Sequence, residues 1–498
     1  MVDSSTRKPK MWYSSYMDSL ISCAQAQNLD KLSQKHVPAI VLMEQAACRM
    51  SQAVERGGRV KKDDAILFLV GPGNNGGDAL AFARSLACCG YSGLQVLCME
   101  PRSELCRIQS EAIADFPIRR ISHDKAGTAI DSAQVIVDGL FGVGLSRPVD
   151  GAAKEWIARA NANSRAWKIA IDLPSGIGDQ VPVSSISFHA DVTYTMGLAK
   201  SCMFHPATCA SCGREIVVLN PSFPPRFIEA CPSVGSWESI VSAVEPPLRL
   251  DAFKNSRGSV AIFAGSRQYS GAARLSSQAA FHAGSGLVTL FADRDSFPVA
   301  VTSAGLSVMV RHEEEAFDLS RFDAILAGPG WGTGREALLR RILESEKPVV
   351  VDADGLVALA NLVRDGYRPH GPLVLTPHVG ELSRLSSALL GRDIVHDTPQ
   401  ALLTGISQLA TQLGAVVVLK SAVNQIVKDG RMAFLDCKNP AIAVAGSGDV
   451  LAGIILCLLG QKLEPFEAAL QGCRLHQWKG KLLGAGGYFT SQELEECL

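Results

Sequence analysis

The chain has almost no excess of either charge. Across 498 residues, 48 Lys and Arg face 49 Asp and Glu, a net charge of −1. That balance argues against a general nucleic-acid binder or a protein drawn to acidic membranes. Long hydrophobic runs are missing too: the longest near the C-terminus, residues 450–459, is too short to span a bilayer. Residues 1–17 are polar, with basic and aromatic side chains and no apolar core of the kind a secretory signal needs, so none is read. No low-complexity tract and no sequence repeat between the two halves stands out.

What is present is apolar bulk. Hydrophobic residues make up 47% and charged residues 19%, enough for large buried cores, and the length implies two or three domains. The fourteen cysteines are scattered through apolar segments. They read as buried free thiols of a reducing cytoplasm, with Cys88 and Cys89 in a core. Cys202, His205, Cys209 and Cys212 have zinc-like spacing, but a second C-x-x-C pair is missing and buried thiols are the default. The acidic runs at 313–315 and 493–496 read as solvated surface.

Taken in order, residues 18–56 carry a helical apolar period broken near Val37-Pro38, which predicts two helices. A wholly apolar strand at 65–70 runs into Gly71-Pro72-Gly73-Asn74-Asn75-Gly76-Gly77-Asp78, followed by a helix at 79–89 that stops at Gly90. With a strand at 94–99 this is a βαβ unit whose glycine loop lies at the sheet's ligand-binding edge. Strands at 135–140, 168–173, 192–196 and 216–219 follow. Asp138, Asp172 and Lys200 fall at or after the ends of these strands, and strand-end carboxylates converge on one crevice. Residues 221–250 change character: Pro221, Pro224, Pro225, Pro232, Pro246 and Pro247 break any regular element and suggest a linker. From Asp251 a second α/β alternation begins, with strands at 259–264, 287–291, 324–327, 348–351, 373–375 and 416–419.

The second half is organised around Ala445-Gly446-Ser447-Gly448-Asp449. A loop enters a buried helix there, so backbone N–H groups and the helix dipole make a site for phosphate. Asp449 reads either as a first-turn carboxylate favourable to the dipole or as a base held beside a phosphate.

Together these motifs resemble those of the bifunctional NAD(P)H-hydrate repair enzymes, an epimerase domain fused to a nucleotide-dependent dehydratase. The resemblance covers roughly residues 18–485. In the first half it rests on Leu42-Met43-Glu44, the 71–78 glycine run, residues 138–145 and residues 171–176. In the second it rests on Tyr269-Ser270-Gly271-Ala272-Ala273, Gly328-Pro329-Gly330, residues 350–354, Leu375-Thr376-Pro377-His378 with Gly380-Glu381, Leu419-Lys420 and residues 446–453.

The resemblance implies an α/β protein: a Rossmann-like doubly wound epimerase domain (1–225), a Pro-rich linker (226–250) and a ribokinase-like dehydratase domain (251–498). The first domain would interconvert R and S hydrates of NADH and NADPH. The second would dehydrate the S form with ADP or ATP and Mg²⁺, through a phosphorylated intermediate. Asp172 and Asp449 would be the catalytic groups. Asn74, Asn75, Gly76, Gly77, Asp78, Gly142, Val143, Gly144, Leu145, Ser146, Arg147 and Asp172 would hold the hydrate in the epimerase, with K⁺ on Asn75, Asp138 and Ser175, all oxygen donors. Ala272, Gly330, His378 and Asp449 would face the hydrate in the dehydratase. Lys420, Ser421, Ala422, Val423, Asn424, Gly446 and Gly448 would face the nucleotide. Asp352 and Asp354 would be structural, or act on Mg²⁺ through water. Ser421 and Ser447 stand where the family commonly has Gly and Thr, Ala79 where it often has Gly, and Met196 where it often has Phe. Neither of the last two touches a proposed ligand. A cytoplasmic homo-oligomer acting on small molecules, with no nucleic acid and no membrane, is the matching expectation. The alternative is a ribokinase-like small-molecule kinase carrying an N-terminal nucleotide-binding module.

Overall fold

The computed structural model describes residues 18–239, 254–314, 318–395 and 397–498. Contacts divide the chain into two compact units, residues up to 236 with 398–400, and the remainder. The division falls inside the Pro-rich stretch. Within that stretch prolines do not abolish regular structure: Pro225 opens the helix Pro225–Glu229, where its missing N–H costs nothing, and Gly235–Ser239 is a strand. The rest of the expected linker, 240–250, lies outside the described residues.

The first unit is a seven-stranded parallel sheet. Its order is Arg119–Arg120, Leu94–Cys98, Ile66–Val70, Val135–Gly139, Trp167–Ile171, Val192–Met196, Glu215–Leu219. The order reverses between Ile66–Val70 and Val135–Gly139, which is the topological switch point where doubly wound sheets bind ligands. Helices cover both faces, so Phe68 on the sheet meets Phe82 edge-on at 5.6 Å on one side, while Leu67, Leu69 and Ile157 pack on the other. Helices Cys23–Gln34 and Ala39–Gly57 fall where the periodicity puts them, the first capped by Ser22 and Gln25 in a reciprocal box. A short strand, Ser19–Ile21, precedes them.

One boundary moves. The helix after the glycine run begins at Asn74, not Ala79, with Gly73 as N-cap. Gly76 lies in its first turn because a Cβ there would sit 2.0 Å from the Gly71 carbonyl oxygen. Only glycine allows the helix to start this close to the strand it follows. At the far end of the same helix Cys88 is exposed and Cys89 half-buried, against the expectation of a core pair. The inward face there is taken by Phe82 and Leu86.

The second unit is a nine-stranded sheet ordered Val308–His312, Leu287–Ala292, Ser259–Phe263, Ala324–Ala327, Val349–Val351, Leu373–Leu375, Ala415–Leu419, Val423–Lys428, Arg431–Asp436. The first seven strands are parallel and the last two close antiparallel. Two apolar layers sandwich the sheet. The helix Ser447–Gly460 is apolar all round, and every residue from Val450 to Gly460 is buried. Trp331, in the 328–332 loop, packs into the core.

Two acidic runs are not simple surface. Glu313 pairs with Arg335, which also holds Asp293, and Glu495 is buried against His282. Glu315 lies outside the described residues. Among the described residues no helix is long and apolar enough to cross a membrane.

Candidate active sites

In the first unit a cavity of about 680 Å³ opens at the switch point. Asn74, Asn75, Asp78, Asp172 and the whole 142–147 loop line it, as do Met196 and Lys200. Gly76 and Gly77 do not: both are buried inside the helix and serve its packing. Met196, expected to be clear of any ligand, faces the cavity because its strand ends beside Asp172.

Asp172 follows the strand Trp167–Ile171 and has φ +65°, a left-handed conformation uncommon outside glycine. Such strain persists where surroundings over-determine it. Here the Asp172 amide donates to the Tyr194 carbonyl at 2.7 Å. Its Oδ1 accepts from Lys200 Nζ at 2.5 Å and from the Met196 amide at 3.2 Å. Lys200, 1% exposed, also donates to Thr195 Oγ1 at 2.8 Å and the Met196 carbonyl at 3.0 Å. The lysine thus fixes which carboxylate oxygen of Asp172 stays available. Sequence position puts Lys200 after a strand end but gives it no task. Asp78 is close enough to feel Asp172: burial first, then Asp172 and Asp30, push its carboxyl well above the carboxylate range.

The proposed K⁺ residues converge in part. Asp138 is fully buried; its Oδ1 accepts from Ser175 Oγ at 2.7 Å and its Oδ2 from the Ser175 amide at 2.7 Å. Burial raises its pKa to about 6 against those hydrogen bonds. The Phe141 carbonyl lies 3.2 Å from the same Ser175 hydroxyl. Asn75 Nδ2 is buried without a partner among the described residues, and a Cβ on Gly142 would touch Asn75 Oδ1 at 3.1 Å and Asp172 Oδ2 at 3.4 Å. Clustered neutral and anionic oxygens are the donor set a hard monovalent cation takes.

In the second unit the phosphate-binding turn forms as the motif requires. Gly446 is the N-cap of Ser447–Gly460 at φ +88°, a conformation costly for any residue with a Cβ. Of the Gly446, Ser447 and Gly448 amides at this turn, Ser447 N–H is used internally, on the Val444 carbonyl at 3.2 Å. Those of Gly446 and Gly448 donate to no protein acceptor among the described residues.

Lys420 stands beside them: a Cβ on Gly448 would lie 3.3 Å from its Nζ. Lys420 Nζ pairs with Asp352 Oδ1 at 2.6 Å, and Glu381 Oε2 is 3.9 Å away. Burial works against this ammonium, and Asp352 and Glu381 more than offset it, so its pKa is raised. Asp352 Oδ1 also accepts from Thr376 Oγ1 at 2.9 Å, and Asp354 Oδ2 from the Gly332 amide at 2.8 Å. Both carboxylates are therefore committed to the protein. Asp449 sits in this field. Burial first, then Asp352 against the opposing pull of Lys420, carries its pKa to about 7.

His378 caps the helix Val379–Leu390, its Nδ1 accepting from the Gly380 amide at 2.9 Å. That bond leaves Nε2 as the donor, 3.5 Å from Glu381 Oε1 on a largely exposed ring, and a parallel bridge to Lys420 places it at the same sheet edge. Gly330 and Ala272 are in contact, since a Cβ on the former would lie 2.9 Å from the Ala272 Cβ. Of the 420–424 segment, Val423 and Asn424 are buried in a strand, and the Val423 amide and carbonyl are both taken by Ser421 Oγ. One functional neighbour escapes the sequence. His476 is buried, held neutral with a pKa near 4 by burial, and its Nε2 meets the Ser447 carbonyl at 2.8 Å. It braces the turn from below, and a lone histidine on a buried helix face gives no signal of that.

Two family models match the chain: the YjeF-related protein N-terminus over residues 39–202 and NAD(P)H-hydrate dehydratase over residues 260–497. The bifunctional NAD(P)H-hydrate repair enzyme of Thermofilum pendens is 34% identical over 441 residues, covering 83% of this chain and 82% of the relative. That of Synechocystis is 30% identical over 502 residues, covering 96% and 92%. Among solved structures, a ribokinase-like superfamily protein from Enterococcus faecalis is 27% identical, with a TM-score of 0.45 over 51% of this chain and 89% of its own. The chain belongs to the family of bifunctional NAD(P)H-hydrate repair enzymes.

Proposed function

We propose that this chain restores hydrated NADH and NADPH in two steps, epimerising the hydrates in its first unit and dehydrating the S form in its second. The observation that carries the second step is Asp449, with a pKa of about 7, next to the unclaimed amides of Gly446 and Gly448. A hydroxyl is a poor leaving group. Asp449 removes its proton, the oxygen attacks the terminal phosphoryl of ADP or ATP, and the two amides hold the transferred group's charge. Loss of phosphate and of the neighbouring ring proton then restores the double bond. A base with a pKa near the working pH is half-ready at neutrality and can pass its proton on. Lys420 would meet the nucleotide phosphates, and His378, Ala272 and Gly330 the hydrate. Mg²⁺ would come with the nucleotide, and Asp352 and Asp354 would reach it only through water.

In the first unit, epimerisation at the hydroxyl-bearing ring carbon requires one proton taken and one returned. Asp172, held by Lys200, is the acceptor, and Asp78, whose carboxyl pKa burial raises, is the nearby donor. K⁺ would be held by Asn75, Asp138 and Ser175, neutralising charge at the hydrate's phosphates and loop. A reducing, cytoplasmic setting agrees with fourteen free cysteines, and a homo-oligomer is the expected assembly.

The test of the second step is stoichiometric. Purified S-hydrate with ADP or ATP should give one inorganic phosphate for each NADH recovered, and the faster nucleotide is the donor. A stable phosphorylated product with no NADH would mean a small-molecule kinase instead.

A further inference from the structure

Next to the first unit's cavity but outside its lining, three segments bring two thiols and a carboxylate together. Cys23 is the first residue of the helix Cys23–Gln34, Asp179 lies in the loop after Ser175-Gly176, and Cys202 is in the short turn Ser201–Phe204 that follows Lys200. Their ligand atoms all lie within 4.8 Å of one another. Cys23 is 6% and Cys202 0% exposed, and Asp179 is partly buried. This is not the set that sequence spacing suggested: among the described residues, His205, Cys209 and Cys212 do not join Cys202 as ligands.

The three side chains face one another. Among the described residues no Lys, Arg or His pairs with the Asp179 carboxylate. Its neighbours are the Cys23 amide, donating to Oδ2 at 2.6 Å, and the two thiols. Both thiols hydrogen-bond the carboxylate, so one oxygen and two sulfurs converge on one point. The spacing suits a cation. A tetrahedral zinc with Zn–S bonds of ~2.3 Å sets an S···S edge of about 3.8 Å, and the Cys23 and Cys202 sulfurs are 3.7 Å apart.

We propose that Cys23, Cys202 and Asp179 bind a soft divalent metal ion of the zinc class. Binding releases the two thiol protons to solvent and forms two metal–sulfur bonds and one metal–oxygen bond. Water completes the tetrahedron on the exposed Asp179 side, and no electron changes hands. The ion would pin the start of the helix that walls the epimerase cavity to the turn just beyond Lys200.

The experiment uses the full chain, reduced, stripped with a chelator and titrated with Co²⁺ as a spectroscopic stand-in for zinc, with zinc content by mass spectrometry alongside. The expected result is one equivalent of Co²⁺ giving tetrahedral visible bands and thiolate-to-cobalt charge transfer, displaced by Zn²⁺. Cys202→Ser should lose about half of the charge-transfer intensity, and Asp179→Asn should keep it while losing metal on dialysis. The wild-type spectrum needs no variant to fold. No charge-transfer band in the wild type, a band unchanged by Cys202→Ser, or a Cys23–Cys202 disulfide in the protein as isolated would each overturn the proposal.

Discussion

Replacing Asp449 with asparagine should weaken the enzyme and strengthen the fold in the same molecule. The carboxyl pKa stands at about 7 instead of 3.8, raised chiefly by burial and then by Asp352. Displacing a carboxyl that far corresponds to at most ~4 kcal/mol against the ionised folded state. Local relaxation and residual solvent reduce this to about 2 kcal/mol. The sign follows from a folded pKa raised above the unfolded one. Ionised Asp449 is penalised in full above pH ~7, the penalty shrinks as pH falls toward ~4, and below that it is gone. An asparagine side chain there, neutral and nearly isosteric, escapes the penalty at every pH. The Asp449→Asn chain should therefore be about 2 kcal/mol more stable than wild type at pH 8 and equal to it at pH 4. Its dehydratase rate should fall by about 10²–10⁴, the usual worth of a positioned base. Urea unfolding at the two pH values and NADH recovery from S-hydrate read both effects. A rate within tenfold of wild type would remove Asp449 as the base, and a stability difference independent of pH would refute its burial as the cause.

Two further outcomes concern the first unit. Asp172→Ala should let R-hydrate persist while S-hydrate is still consumed, measured by separating the epimers over time; R-hydrate vanishing at the normal rate would assign epimerisation elsewhere. Lys200→Met leaves the Asp172 carboxylate, 13% exposed, without its cation. Breaking such a pair costs about 3–5 kcal/mol, so this variant should melt earlier and lose epimerase activity while its dehydratase rate holds. Epimerase activity within a few-fold of wild type would mean that Lys200 only supports the fold.

The strands are the legible part of this chain. Runs such as Ile66–Val70 and Ala324–Ala327 are apolar throughout because both faces are covered, and a glycine turn marks where each ends. The antiparallel pair Val423–Lys428 and Arg431–Asp436 gives no such signal. Its polar ends at Lys428 and Arg431 flank a tight turn at Asp429-Gly430, and the family resemblance assigns residues 420–424 to the nucleotide rather than to a strand. Strand order is not written locally, so the switch point between Ile66–Val70 and Val135–Gly139 emerges only from the assembled sheet. The same holds for the sites. Asp172, Asp449 and the glycine turns announce themselves by position, whereas Lys200 and His476 matter through what they touch across the fold. Glu495 shows the reverse error: an acidic run at a chain end looks solvated until a partner, His282, packs onto it.

The central claim is that one chain carries both steps. The direct measurement is NADH absorbance on a mixture of R- and S-hydrate, with the purified chain, Mg²⁺, K⁺ and ADP or ATP. The account predicts complete recovery, faster than the epimers interconvert spontaneously. Recovery that stops at the S fraction would contradict an active first unit, and no recovery with either nucleotide would contradict the account as a whole.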